Sequence, residues 1–194
     1  MGSNQKSSRF EIENEWPHKQ HRYGKGGPQL PARGNVIVAL GANLRGPWGK
    51  PRKTLKRALK ELDRDNVAVR AISEFYETEA IGQTRQPPYL NAVALVATSL
   101  PAPALLRRLK QIERDAGRRG GRPWGSRSLD LDIIDYKGLI VNWPGRRGGS
   151  RWAGIKRPGG QALRLPHPSM HERPFVLRPL LDLTPDWRHP VMKL

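Results

Sequence analysis

The chain contains no cysteine. Disulfides, thiolate metal centres and a cysteine nucleophile are therefore excluded. Acidic residues are scarce beside basic ones, 17 Asp and Glu against 35 Lys and Arg, which leaves a formal net charge of +18. Such an imbalance calls for an anionic partner: nucleic acid, an anionic membrane surface or phosphorylated small molecules. No apolar run approaches the ~18 residues of a membrane span, and the first residues lack the apolar stretch of a secretory signal. These absences predict a soluble, cytoplasmic protein that makes no membrane contact. A length of 194 residues fits one domain with tails and is enough to bury a hydrophobic core.

Residues 1–34 are poor in aliphatics and rich in Gly, Pro, Ser, Gln and mixed charge. They cannot bury enough apolar surface to order themselves, so a disordered basic extension is expected there, and residues 35–194 form the domain. Asn35 to Asn43 is almost wholly apolar and predicts a central strand buried on both faces, ending at Gly41. Lys50 to Arg64 reads as a helix with Leu55, Ala58, Leu59 and Leu62 inward and a basic outer face. Asn66 to Glu79 reads as one long strand and Tyr89 to Leu100 as another, with the Pro87-Pro88 pair marking the loop between them. Pro101 to Ala116 is a second amphipathic helix, closed by Gly117. A Gly- and Arg-rich loop, Arg118 to Ser126, leads into a strand from Leu129 to Tyr136. Beyond it a short strand at Gly138–Asn142, a flexible basic insertion at 143–161, a re-paired strand at Ala162–Pro166 and a turn-rich end are expected. The order strand, helix, strand, strand, helix, strand is the ferredoxin-like pattern, an α+β sandwich with a four-stranded antiparallel sheet, two main helices on one face and extra C-terminal strands or turns.

The chemistry concentrates at Leu129-Asp130-Leu131-Asp132-Ile133. On a strand, Asp130 and Asp132 point to one face while Leu131 and Ile133 enter the core. Paired carboxylates repel unless a cation sits between them, and oxygen-only ligands favour a hard ion such as Mg²⁺. The bland reading is a strand end with solvated acids. Against it stand the arginines just upstream, Arg107, Arg108, Arg114, Arg118, Arg119, Arg122 and Arg127. Acids for metal and arginines for phosphate together suggest chemistry on a nucleoside triphosphate.

Four stretches carry a family resemblance: Ala39-Leu-Gly-Ala-Asn-Leu44, Phe75-Tyr-Glu-Thr78 with Gly82, Gln86-Pro-Pro-Tyr-Leu-Asn-Ala92 and Trp124-Gly-Ser-Arg-Ser-Leu-Asp-Leu-Asp-Ile133. Pro166-His167 followed by Arg173-Pro-Phe175 adds a fifth. In this order they resemble the 6-hydroxymethyl-7,8-dihydropterin pyrophosphokinases, over roughly residues 35 to 182. The resemblance implies transfer of pyrophosphate from ATP to the hydroxymethyl group of a reduced pterin, giving AMP, in folate biosynthesis. It implies Arg118 and Arg127 as catalytic residues and Asp130 and Asp132 as ligands of two Mg²⁺ ions. It places Glu113, Trp124, Arg127, Ile133, His167 and Arg173 at ATP, and Thr78, Ile81, Tyr89, Asn91, Trp124 and Phe175 at the pterin. It leaves the protein a monomer with no nucleic acid required, although the basic tail and insertion keep nucleic-acid contact open.

Two other classes compete. A basic RNA-binding module shares this layout but carries base-stacking aromatics on the open sheet face, and no strand here reads so. A Mg²⁺-dependent nucleotidyl-transfer or cyclase domain would share the paired acids but would not need Tyr89, Asn91 or Trp124.

Overall fold

The computed structural model describes residues 34–80, 86–118, 125–143 and 162–192, together with a two-residue strand, β1 (Arg22–Tyr23). The remaining elements follow in chain order: β2 (Val36–Ala42), α1 (Pro51–Leu62), β3 (Val67–Ile72), β4 (Tyr76–Thr78), β5 (Tyr89–Thr98), α2 (Ala102–Asp115), β6 (Asp130–Tyr136), a 3₁₀ turn (Met170–Glu172) and α3 (Pro174–Leu183). The sheet runs β1-β3-β5-β2-β6, with β4 pairing β5 off that path. Its core of β3, β5, β2 and β6 is antiparallel throughout, which is the expected ferredoxin-like sandwich.

β2 sits at the centre because it has no polar side chain to solvate. Val36, Ile37 and Val38 are fully buried, and Leu40 nearly so. α1 and α2 cover one face. The spacing Leu55, Ala58, Leu59, Leu62 on α1 and Leu105, Leu106, Leu109, Ile112 on α2 lays one stripe of each helix against Val36, Val38, Leu40, Leu131 and Ile133. Each leucine so buried contributes roughly 1.5–3 kcal/mol. Both helices carry a proline in the first turn, Pro51 opening α1 and Pro103 second in α2, where its fixed φ suits the helix and its missing N–H is no loss.

Several expectations need correction. The long strand over 66–79 is two: β3 stops at Ile72, and Tyr76–Thr78 forms a separate strand beside the start of β5. A register shift between Val69 and Ala71 bends β3 away from the straight course that one strand would need. The segments expected as strands at 138–142 and 162–166 form no strand among the described residues and meet through an isolated bridge between Val141 and Leu165. The C-terminal part has the expected turns, at 168–172 and 185–192, but between them it adds a helix. In α3, Val176, Pro179, Leu180 and Leu183 are buried at helical spacing against Ile37, Val93, Leu95 and Ile134 on the other face of the sheet. Prolines at 174 and 179 mask the pattern in the sequence, yet the first suits a helix start. α3 thus covers the sheet face that an RNA-recognition domain would leave open for bases. The 1–34 extension is not wholly free of structure either, since Arg22 and Tyr23 pair in parallel with Ala71 and Ile72. Most of the basic insertion, residues 144–161, lies outside the described residues.

Candidate active site

The site grows from one rung of the sheet. Tyr76 of β4 pairs with Asn91 of β5, Asn91 with Gly41 of β2, and Gly41 with Asp130 of β6. Residues directly opposite one another in a ladder point to the same face. The rung therefore sets Asn91 and Asp130 on one face with a glycine between them. The next rung on that face pairs Val93, Ala39 and Asp132. Farther along, Ile37 and Leu95 pass under α3, so the polar rungs lie at the edge of the region α3 covers. The alternation of β6 holds as the sequence implied: Asp130 and Asp132 are partly exposed, while Leu131 and Ile133 are buried on the helix side.

The acids face a set of cations. An Arg118 Nη1 donates to one oxygen of Asp130 at 2.6 Å, and an Arg127 Nη1 donates to the other at 2.5 Å. Lys110 Nζ lies 3.5 Å from Asp132 Oδ1 and donates to the Leu131 carbonyl at 2.8 Å. Behind them Glu113, 2 % exposed, accepts from the Leu131 N–H at 2.7 Å and from Lys110 Nζ at 2.7 Å, and it pairs with Arg118. Burial pushes the Glu113 carboxyl up, and Lys110 and Arg118 oppose that rise. Burial also works against the charged form of Arg118, but Asp130, Glu113 and Asp132 outweigh it and hold the guanidinium firmly charged. Gly117, at φ +82, makes the turn that brings Arg118 from the end of α2 to this cluster, a backbone angle that glycine adopts without strain.

On the other side of the rung, Asn91 is 5 % exposed, and its Nδ2 donates to Thr78 Oγ1 at 2.8 Å. A side chain at Gly41 would place its Cβ 3.0 Å from Asn91 Oδ1, so the Asn91 amide lies over the space that Gly41 leaves. The Tyr89 hydroxyl donates to the Gly125 carbonyl at 2.9 Å, and burial raises its pKa, with Arg127 opposing the rise. Phe175, in the first turn of α3, is half-buried against the second core cluster, with the Arg173 guanidinium 5.8 Å from its ring centre. His167 follows the cis Leu165–Pro166 bond. It is buried, its N–H donates to the Ile134 carbonyl at 2.8 Å, and its Nδ1 accepts from the Ser169 N–H at 3.3 Å.

Arg118, Arg127, Asp130 and Asp132 are thus gathered on one side, with Thr78, Tyr89 and Asn91 grouped on the other. Trp124 and Ile81 lie outside the described residues. The side chains of Glu113 and Ile133 depart from the nucleotide-facing place expected for them. Ile133 is 1 % exposed in the core under the helices, and the Glu113 carboxylate is enclosed by Leu131, Lys110 and Arg118. Only main chain at Ile133 is left for a ligand, and Glu113 acts as a brace from α2 to β6. Sequence reasoning missed Lys110 as a member of this cation set. Lys110 is three residues before Glu113, one helical turn away, a spacing that could have marked it.

Among the described residues no group of three or more His, Asp or Glu could hold a metal, and no helix is long and apolar enough to cross a membrane. Paired carboxylates ringed by arginine and lysine, at the end of a ferredoxin-like sheet and next to a small polar slot, define a class: an enzyme that moves phosphate groups from a nucleotide. Within that class, the chain belongs to the 7,8-dihydro-6-hydroxymethylpterin-pyrophosphokinase (HPPK) family, whose profile matches residues 37–185. It is 36% identical over 151 residues to the 2-amino-4-hydroxy-6-hydroxymethyldihydropteridine pyrophosphokinase of Haemophilus influenzae, covering 78% of this chain and 82% of that protein. The enzyme of the same name from Pseudomonas aeruginosa is 35% identical over 156 residues, covering 80% and 83%. The mitochondrial folate synthesis bifunctional protein of Arabidopsis thaliana is 37% identical over 148 residues, which are 76% of this chain and 23% of that longer one. The protein is accordingly an ATP-dependent diphosphokinase that transfers pyrophosphate to 6-hydroxymethyl-7,8-dihydropterin in folate synthesis.

Proposed function

We propose that the Asn91–Gly41–Asp130 rung divides the labour of this reaction, with the pterin on the Asn91 side and the triphosphate on the Asp130 side. The register that puts these two residues on one face, from the two strands that flank β2, is the observation that carries the assignment. The pterin is flat and has a polar amide edge. Asn91, oriented by Thr78, reads that edge and Tyr89 and Phe175 supply apolar faces; by family resemblance Trp124 and main chain near Ile81 also contact the pterin.

Asp130 and Asp132 fit a hard divalent ion. They offer oxygen ligands only, share a face and are partly open. With no third protein ligand beside them among the described residues, they leave positions for water and phosphate oxygens, as Mg²⁺ prefers. Mg²⁺, two ions by family resemblance, supplies charge neutralisation on the triphosphate when bound. The protein's own part is positioning and electrostatics. Arg118 and Arg127 present planar forks to the phosphate oxygens, which a lysine could not match. His167 and Arg173 hold ATP from the α3 side. The pterin hydroxyl oxygen bonds to the β-phosphorus, the bond from that phosphorus to the α-phosphate oxygen breaks, AMP leaves, and the hydroxyl proton goes to solvent. Alignment of the reacting atoms is the main contribution such a site can make.

The test is ATP turnover with Mg²⁺, with and without the pterin, scoring AMP against ADP in the unsubstituted protein and in Asp130→Ala, Asp132→Ala and Asn91→Ala. The aspartate variants are expected to lose turnover and the Asn91 variant to lose pterin affinity. Undiminished turnover in the aspartate variants would remove them from the site. The expectation that the protein is a cytoplasmic monomer is checked by sizing and by fractionating the cells that make it.

A further inference from the structure

The stretch Ala39-Leu-Gly-Ala-Asn-Leu44 has so far supplied a strand and a glycine, but no work for its asparagine. Asn43 is 4 % exposed, just past the end of β2. Its Oδ1 accepts from the Arg127 N–H at 2.7 Å. Its Nδ2 donates to the Pro87 carbonyl at 3.0 Å and to Ser126 Oγ at 3.3 Å. Its own N–H and that of Leu44 both donate to the Arg127 carbonyl, at 3.0 and 3.1 Å. One residue thus holds both polar groups of the Arg127 peptide and, with the same amide, the segment that leads into Tyr89 and Asn91. Nearby bonds tie the same two segments: Ser126 Oγ donates to Gln86 Oε1 at 3.0 Å, and Tyr89 donates to Gly125. The loop after Asn43 lies close under the other arginine as well. A Cβ on Gly46 would come within 2.8 Å of the Ala116 carbonyl, and one on Gly117 within 2.4 Å of the Pro47 ring.

We infer that Asn43 is a positioning residue that fixes Arg127, and with it the phosphate side of the site, relative to the pterin side. This rests on the pterin pyrophosphokinase reading of the site. A buried carboxamide with both hydrogens and its oxygen engaged has one orientation, and two segments far apart in sequence inherit it. Misplacing a reacting group by about 1 Å can cost ~10²-fold in rate, whereas either substrate alone can still bind its own half.

The experiment compares unsubstituted protein with Asn43→Ala, Asn43→Asp, Arg127→Ala and the Asn43→Ala/Arg127→Ala double variant. It measures kcat at saturating ATP and pterin, dissociation constants for a non-hydrolysable ATP analogue with Mg²⁺ and for the pterin separately, and the folded fraction by circular dichroism. Asn43→Asp keeps the acceptor for Arg127 and the size of the side chain but loses the donors to Pro87 and Ser126, so it guards against an alanine variant that fails to fold. The expected result is a fall in kcat of ~10²-fold per folded molecule for both Asn43 variants, with each dissociation constant changed less than about threefold. The double variant is expected to be no slower than Arg127→Ala, because Asn43 acts through Arg127. Wild-type kcat per folded molecule in either Asn43 variant, or losses that multiply in the double variant, would overturn the inference and leave the functional reading intact. An unsubstituted protein that makes no pterin-dependent AMP would overturn both.

Discussion

Gly41→Ala is the smallest change that should injure the pterin side alone. The added Cβ would stand 3.0 Å from Asn91 Oδ1 and 3.8 Å from the Tyr89 ring. The second distance is ordinary contact. The first is too close, so the Asn91 amide must move by a few tenths of an ångström, and its 2.8 Å bond to Thr78 resists. The backbone needs no glycine at this point, since Gly41 is not among the residues with positive φ. Alanine lowers the entropy of the unfolded chain, a gain of about 0.4–1 kcal/mol, which offsets part of an overpacking cost of about 1–3 kcal/mol. Net stability should therefore fall by no more than about 2.6 kcal/mol. Loss or bending of a hydrogen bond to the pterin edge is worth about 1.4–2.8 kcal/mol, which is roughly 10- to 100-fold in kcat/KM for the pterin. Steady-state kinetics with the pterin varied at saturating ATP would show this, with a chemical melt as the control for folding and calorimetry of an ATP analogue as the control for the other half. A folded Gly41→Ala protein with wild-type kcat/KM for the pterin would refute the placing of Asn91 at that substrate.

Other expectations are as direct. Asp130→Ala and Asp132→Ala should abolish turnover while the circular dichroism spectrum stays native, because both side chains sit outside the two core clusters. Gly117→Ala should destabilise the fold by about 1–3 kcal/mol and lower kcat, since φ +82 strains an alanine and its Cβ would meet Pro47 at 2.4 Å; a melt and a rate measurement check both. The Tyr76 hydroxyl donates to Asp182 at 2.5 Å, and burial, with Asp182 adding to it, pushes its pKa up to about 12. Below pH 10 the folded and unfolded states both keep this proton. Above it the unfolded chain sheds the proton first, so stability falls as pH rises from 10 through about 12. Absorbance titration near the tyrosinate band should show one late-ionising tyrosine that Tyr76→Phe removes, and the same variant should flatten that limb of the stability profile.

The residues that declared themselves in the sequence did so because their pattern was local. Asp130 and Asp132 share a face by the alternation of a strand, whatever that strand pairs with. Leu55 to Leu62 and Leu105 to Ile112 mark helices by spacing alone, and both helices bury those residues. What stayed hidden depends on register. Nothing in Gly41 itself says that Asn91 and Asp130 flank it, because that follows from how β2 pairs with both neighbours. Asn43 is 84 residues from Arg127, a separation no periodicity can signal. α3 was obscured by Pro179 inside it, since a proline in mid-helix argues against the helix unless packing outweighs the lost hydrogen bond. The resemblance puts Glu113 and Ile133 at the nucleotide, and the enclosure of their side chains depends on how α2 lies against β6.

Glu113 and Lys110 also have a bearing on solubility. β6 ends the sheet, and an end strand offers unpaired N–H and C=O groups to any passing chain. Here the Leu131 N–H is taken by Glu113 and its carbonyl by Lys110, while the Ile134 carbonyl is taken by His167. At the far side of the sheet, Arg22 and Tyr23 lie along β3. The residues that brace the arginines therefore also shield a strand edge from recruitment into aggregates. A variant made at Glu113 to study the chemistry would expose that edge, and its lost activity and its precipitation would share one cause.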